Sequence, residues 1–477
     1  MNSLSAREQK KEEIKKSRAG SITEGVIWKQ LLLFFFPILF GTFFQQLYNT
    51  VDAIIVGRFV GKEALAAVGG STGMLINLLV GFFVGLSSGA TVIISQFYGA
   101  QNEDRVGEAV HTAMAFSLVC GLGMTVIGLL FGRTALEAMG TPAEIMDSLS
   151  YLNIYFIGII TNLIYNMGSG ILRAIGDSKR PLYFLMASCL TNIVLDIVLV
   201  VVLRMEVRGA AIATVFSQLV SAILVVFALM RTTDSYKLII RKIRLNLFMV
   251  KRIIKIGLPA GLQSVMYALS NIIIQSSVNA LGTDTIAAWT AYSKIDSVYW
   301  MIISALGISI TTFVGQNYGA GKMTRVKRGV NVCLGITALI TFLLCTVLYL
   351  FGGYVYLLFT TDAAVIAKGM EILYFLVPTF ILYICIEIFS GALRGVGDCW
   401  IPMIMTALGV CTLRVVWIII AVPIRPSIIT VIFSYPLTWG ITTVLFIIYY
   451  YCFSALKKFN VPLLRLRRKR RRRLEDQ

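Results

Sequence analysis

Histidine is almost missing from this chain, which has His111 alone, and charged residues make up only 14% of its 477 positions. One histidine rules out an HExxH zinc pair, and the two GxSxG strings, at 69–73 and 85–89, both fall inside one long apolar run with no strand before them, so neither forms a nucleophile turn. The eight cysteines (120, 189, 333, 345, 385, 399, 411 and 452) lie in or at the ends of apolar stretches with no CxxC spacing. They read as small core residues, not a disulfide frame or metal cluster. The nearest approach to a phosphate loop, Gly315 to Met323, lacks the first glycine at the required spacing and the closing Ser or Thr. Neither catalysis, nor an ATP-driven engine, nor a cofactor is expected. The first 27 residues hold no short apolar core followed by a small-residue cleavage site, so the chain is expected to insert whole.

Apolar residues are abundant: 57% of the chain is hydrophobic and mean hydropathy is +0.81. A water-soluble domain of this size has no use for so much apolar surface. Apolar runs separated by short polar loops predict spans at about 28–56, 64–94, 107–131, 147–169, 181–203, 209–231, 252–280, 285–314, 327–351, 369–391, 400–422 and 427–453. The runs are continuous and do not alternate, so the expected fold is an all-α integral membrane protein of twelve helices.

The net charge of +19 is distributed unevenly. Of the 43 Lys and Arg, seven (Arg58, Lys62, Arg133, Arg204, Arg208, Lys368 and Arg425) fall in loops on one side; almost all the rest fall on the other, with both chain ends. The positive-inside rule then places both ends in the cytoplasm of a multi-pass cell-membrane protein. Lys457-Lys458 and the Arg465–Arg473 run suit an anionic leaflet, at about 1 kcal/mol per charge. A lipid surface, not a nucleic acid, is the expected partner of the tail, and the protein is expected to be a monomer.

The second six spans repeat the first six. Gly170-Ile-Leu-Arg173-Ala-Ile-Gly176-Asp177 with Pro181 returns 221 residues later as Gly391-Ala-Leu-Arg394-Gly-Val-Gly397-Asp398 with Pro402. Gln96-Phe-Tyr98-Gly99-Ala100 likewise returns as Gln316-Asn-Tyr318-Gly319-Ala320. Six is even, so both halves enter from the same side and are related by a pseudo-two-fold along the membrane normal. The expected organisation is an N-terminal segment (1–27), an N-terminal lobe (28–231), a basic linker (232–251), a C-terminal lobe (252–453) and a polybasic tail (454–477). In the repeated loops Gly176 and Gly397 suit helix ends, Asp177 and Asp398 the next helix cap, and Pro181 and Pro402 its first turn. Gly81, Gly85 and Gly89 form a ridge suited to close helix packing.

Carboxylates inside spans cost roughly 2.5–3.5 kcal/mol each and mark function by default. Asp52 lies about 36 Å along the first span, and Asp196 about 22 Å along the fifth, both toward the outer side. Asn192 shares the helical face of Asp196, and Thr214, early in the sixth span, reaches a similar depth. Such a group suits a proton or a Na⁺ held by oxygen ligands, or else a hydrogen-bond network that only ties three helices together. Glu387, in the tenth span, is either a proton carrier, a counter-charge for substrate or a salt-bridged packing residue. Lys294 and Asp296 lie two residues apart and point to different sides of their helix, so Lys294 faces either the cleft or, snorkelling, the outside. Arg414 is similarly ambiguous.

Val51-Asp52-Ala-Ile-Ile-Val-Gly57, Ala64-Leu-Ala-Ala-Val68-Gly69, the Gln-x-Tyr-Gly-Ala turns, Leu-Arg-x-x-Gly-Asp and Asn192-Ile-Val-Leu-Asp196 together resemble the multidrug and toxic compound extrusion (MATE) family over residues 25 to 455. The resemblance implies a two-lobed antiporter expelling cationic or amphipathic compounds, drugs among them, in exchange for Na⁺ or H⁺. It also implies a cation site on Asp52, Asn192, Asp196 and Thr214, with the carbonyl near Ala210 as a further ligand. Members that bind Na⁺ in the C-terminal lobe have acids where this chain has Tyr267 or Gln263, and near Tyr383, which puts a second site in doubt. The substrate cleft is expected between the lobes, among Gln45, Gln46, Tyr48, Asn49, Gln263, Met266, Tyr267, Asn271, Gln275, Tyr292, Trp300 and Met301, with Lys294 and Glu387. Aromatic rings and Met suit flat cations of varied shape. A lipid-linked oligosaccharide flippase is the alternative; spans beyond twelve and a cluster of basic cleft residues would favour it, and the sequence shows neither.

Overall fold

In the computed structural model, which describes residues 22–139 and 147–459, twelve helices are long and apolar enough to cross a bilayer. They are α1 (Ile27–Phe59), α2 (Thr72–Gly99), α3 (Glu103–Ala138), α4 (Leu149–Ala174), α5 (Lys179–Val202) and α6 (Glu206–Arg231) in the first half. In the second half they are α7 (Leu247–Asn279), α8 (Thr283–Gly319), α9 (Met323–Leu357), α10 (Ala363–Val396), α11 (Trp400–Ile424) and α12 (Ile428–Phe453). The polybasic run at 465–473 and the first 21 residues lie outside the described residues. Every expected span is present. The second is shorter than expected, because a separate helix, Lys62–Gly69, precedes it and the Gly69-Gly70 pair breaks the chain before α2 begins.

Helix ends follow local chemistry. Asn102 caps α3, Asn246 caps α7 and Asp362 caps α10, each side chain accepting backbone N–H bonds of the first turn. Gly176 (φ 98°) and Gly397 (φ 90°) take the left-handed conformation as expected. Asp177 accepts from the amides of Lys179 and Arg180 at the start of α5. Its repeat partner Asp398 instead accepts from the Tyr449 hydroxyl at 2.6 Å, so the two loops are alike in backbone but not in bonding.

The first six helices pack into one lobe and the last six into another. The linker is pinned to the first: the Ile239 amide donates to His111 Nε2 at 3.0 Å, whose Nδ1 faces the Gly107 carbonyl at 2.6 Å. Between lobes, α2 crosses α7 with almost no space. A Cβ on Gly85 would stand 2.5 Å from the Gly261 nitrogen, and one on Gly89 2.3 Å from the Ile253 carbonyl oxygen. The glycine ridge therefore serves helix approach.

The lobes also meet at the face where α1 starts and α12 ends. There the Gln96 amide donates to the Gly395 carbonyl at 2.9 Å, and the Gln316 amide to the Ala174 carbonyl at 2.7 Å. The repeat pairs Gln96 with Gln316 and Ala174 with Gly395, so one contact is the pseudo-symmetric image of the other. Together they close that end of the groove between the lobes.

The C-terminal core is aromatic. Tyr299 stacks on Phe380 at 4.0 Å, and its buried hydroxyl donates to the Phe380 carbonyl at 2.8 Å, just beyond the 3-10 turn Val377–Thr379 in α10. Tyr299→Phe removes this second bond to a carbonyl that also opens a helix and is expected to cost about 0.5–1.5 kcal/mol. A fall in the thermal midpoint of the detergent-solubilised protein checks this; an unchanged midpoint refutes it.

Candidate functional site

Three helices of the N-terminal lobe deliver the expected polar group to one place. Asp52 on α1 is 7% exposed, and Asn192 and Asp196 on α5 are fully buried. Thr214 and Ala210, one turn apart on α6, are buried as well. Asp52 and Asp196 stand close enough for their charges to act on each other. Asp196 is the last α-helical residue of α5; a π turn, Ile197–Val202, follows at once, an irregularity frequent at functional sites.

The bonding of these groups is incomplete. Asp52 Oδ1, both Asn192 side-chain atoms and both Asp196 oxygens are buried with no hydrogen-bond partner. Buried polar atoms nearly always find partners, so five orphans at one site leave hydrogen-bonding and ligating capacity free there. Two carboxylates, an amide oxygen and a hydroxyl fit a proton or a small hard cation such as Na⁺. Sequence reasoning missed Tyr151 on α4, which lies beside Thr214 and within range of the Asp52 charge. Only its helical spacing from Tyr155 hints at a shared inward face.

Between the lobes lies a cavity of about 840 Å³. Thr42 and Gln46 of α1, Ser87, Ser88 and Thr91 of α2 and Arg173 of α4 line it from one side. From the other come Gln263, Tyr267 and Asn271 of α7, Asp296 and Trp300 of α8, Tyr383, Glu387 and Arg394 of α10, Arg414 of α11, and Tyr435 and Trp439 of α12. Of the residues expected in the cleft, Gln46, Gln263, Tyr267, Asn271, Gln275, Trp300, Met301 and Glu387 line the cavity. Gln45, Asn49 and Lys294 are exposed elsewhere, Met266 is half-buried outside the wall, and Tyr48 is buried in the N-terminal lobe, within charge range of Asp52. Tyr292 is buried against Trp289, their rings stacked at 5.4 Å. Helix α8 turns Asp296 inward and Lys294 outward, as their spacing requires; Asp296 accepts from Trp300 Nε1 at 2.7 Å.

Where the resemblance implies acids for a C-terminal cation site this chain has Tyr267 or Gln263, and Tyr383 near the other position; the Tyr267 and Tyr383 hydroxyls bond each other at 3.0 Å. Glu387, one turn on, packs against Gly307, with a Cβ there only 2.1 Å from Oε1. The expectation that basic residues do not cluster in the cleft is corrected: Arg173, Arg394 and Arg414 all line it. The first two sit at helix ends, where a sequence assigns basic residues to a loop. Only their placement in the repeated Gly-x-Leu-Arg fragment marked them as a pair.

Comparison with known proteins agrees with this architecture. A sequence model of the family described as MatE matches residues 37–198 and again residues 259–420. The probable multidrug resistance protein YoeA of Bacillus subtilis is 28% identical over 433 residues, 89% of this chain and 93% of that protein. A FAD transporter of Shewanella oneidensis is 25% identical over 360 residues, 74% of this chain and 78% of that one. Among solved structures, an outward-facing multidrug resistance MATE family transporter of the MOP superfamily superposes with a TM-score of 0.85 at 22% identity. The match spans 92% of this chain and 98% of that one, a likeness of fold.

Proposed function

We propose, from the premise that this chain belongs to the MatE family of multidrug efflux transporters, that it is a secondary antiporter driven by Na⁺ or H⁺ entering the site of Asp52, Asn192, Asp196 and Thr214. The exported compounds are amphipathic organic molecules carried in the cavity between the lobes. The observation that carries this reading is the set of five buried polar atoms without partners at the two carboxylates and Asn192.

Coupling follows from which helices the two cargoes share. Asp52 lies on α1, whose Thr42 and Gln46 line the central cavity, so one helix meets the cation at one level and the organic molecule at another. Loading a cation between α1, α5 and α6 removes the cost of a bare charge in a dry lobe. That energy is spent on a different packing of α1, and a cargo that binds two packings unequally shifts the balance between them. Alternating access is the rocking of one lobe against the other, with the Gln96 and Gln316 contacts closing one end. Both chain ends lie on the cytoplasmic side of the cell membrane, where Lys237, Arg241, Lys242, Arg244, Lys251, Arg252 and Lys255 of the linker region meet the positive-inside rule.

The test is a proteoliposome assay in which Na⁺ and proton gradients are imposed separately while a fluorescent organic compound is followed. Accumulation driven by one gradient and abolished by its collapse is expected. Movement indifferent to both refutes the antiporter.

A further inference from the structure

We propose that the compound exported through the central cavity carries an oxyanion, phosphate or carboxylate, on a flat aromatic body, and that Arg173, Arg394 and Arg414 hold that group. This rests on the cavity being the transport site; it adds the charge of the cargo, which the coupling site does not dictate.

Three guanidiniums line one cavity without being spoken for. Arg414 is 3% exposed, and its Nε is buried with no hydrogen-bond partner. Its guanidinium lies 4.1 Å from the centre of the Tyr435 ring, a stack that leaves the edge donors free. Among the described residues none of the three makes an ion pair or a hydrogen bond. An arginine kept for structure is normally fork-bonded to a carboxylate or to carbonyls, because a guanidinium taken out of water unpaired is costly. Three unpaired ones around a single space describe a site awaiting its partner.

The acids of the same cavity do not supply it. Asp296 is engaged by the Trp300 indole, and Glu387 is packed onto Gly307. Each stands in charge range of an arginine, Asp296 of Arg414 and Glu387 of Arg394, without reaching 4.0 Å. Two carboxylates facing three guanidiniums leave positive charge over in a wall that is otherwise aromatic. Trp300 and Tyr435, both partly exposed, offer ring surface to a planar body, while the arginines offer paired donors suited to the plane of a carboxylate or the oxygens of a phosphate.

The arginines also sit where release is controlled. Arg173 and Arg394 are related by the repeat and come from opposite lobes. Each immediately precedes a carbonyl, of Ala174 and Gly395, that the other lobe's glutamine holds. Rocking that breaks those contacts separates the two guanidiniums, so an oxyanion gripped from both sides in one state is held from one side in the other.

Binding of riboflavin 5′-phosphate, riboflavin and ethidium to the full-length protein in nanodiscs tests this, since the first two differ only in the phosphate. The phosphate is expected to bind at least about tenfold tighter than riboflavin, the value of one charge-assisted bidentate contact. The double variant Arg394→Gln, Arg414→Gln is expected to lose that preference while still binding riboflavin measurably, which also shows that it has folded. Equal or weaker binding of the phosphate by the unaltered protein overturns the proposal, as does an undiminished preference in a variant that still binds riboflavin. Gradient-driven export of ethidium in proteoliposomes that exclude the phosphate leaves the antiporter standing and sinks the oxyanion. Failure of every gradient to move any compound sinks the antiporter instead.

Discussion

Asp52→Asn and Asp196→Asn are each expected to reduce gradient-driven export on the order of 100-fold, while leaving the folded protein as stable as before or more so. The substitution keeps the shape of the side chain and removes the charge that makes a cation worth binding. It also removes a carboxylate that lies buried without a full set of partners, and an unpaired buried charge is a cost to the fold. Transport and stability should therefore move in opposite senses. If these carboxylates only tied α1, α5 and α6 together, the asparagine variants would be less stable and export would fall merely in proportion to the folded fraction. The paired measurement is the thermal midpoint in detergent and the initial rate of export in proteoliposomes. Wild-type export by either variant would remove the coupling site from this lobe.

Gly99→Ala combined with Gly319→Ala is expected to prevent the lobes from closing at the face where the chain enters and leaves the bundle. A methyl on Gly99 would stand 2.0 Å from the Gln316 carbonyl oxygen, and one on Gly319 1.9 Å from that of Gln96. The obstacle in both cases is backbone, which cannot turn aside as a flexible side chain does. Overpacking of this kind costs about 1–3 kcal/mol at a single site, and because both glycines share one crossing the pair costs at least as much as one without the two simply summing. The cost falls only on the closed state, so the population shifts toward the open one by about tenfold or more. Ser95, buried beside Gly315 at the same crossing, reports the change: Ser95→Cys, with the eight native cysteines replaced, should react with an impermeant thiol reagent about tenfold faster in the alanine background. Gly123→Ala and Gly335→Ala, where an added Cβ meets nothing within 4 Å, are the controls. Unchanged labelling together with undiminished export would mean that closure does not pass through these glycines.

The two predictions rest on features that the sequence exposes to different degrees. Asp52 and Asp196 can be brought to one level from residue counts alone, because a helix advances by a constant rise and a bilayer has two fixed edges. The glycine crossing is half visible: the repeated Gln-x-Tyr-Gly-Ala turn marks Gly99 and Gly319 as equivalent but does not say that each lies on the other lobe's backbone. The cavity wall is the least visible. Gln45 and Asn49 are polar residues of the first span expected in the cleft, yet they lie outside its wall, whereas Tyr435 and Trp439, which no sequence signal singles out, form part of it. Arg173 and Arg394 count as loop residues on charge, and the packing of α4 and α10 turns both into the cleft.

Length, hydropathy and internal repetition were enough to establish a twelve-helix bundle in two equivalent halves, with carboxylates inside spans of each, since burial in lipid depends on composition along the chain. Which face of each helix turns toward the cleft came from packing alone. Lipid and protein interior are about equally apolar, so a residue's polarity distinguishes them weakly, and the choice is made by close approach of backbones at small residues and by contacts between segments more than 200 positions apart. The orphaned carboxylates, the latched glutamines and the unpaired arginines are all products of that second kind of information.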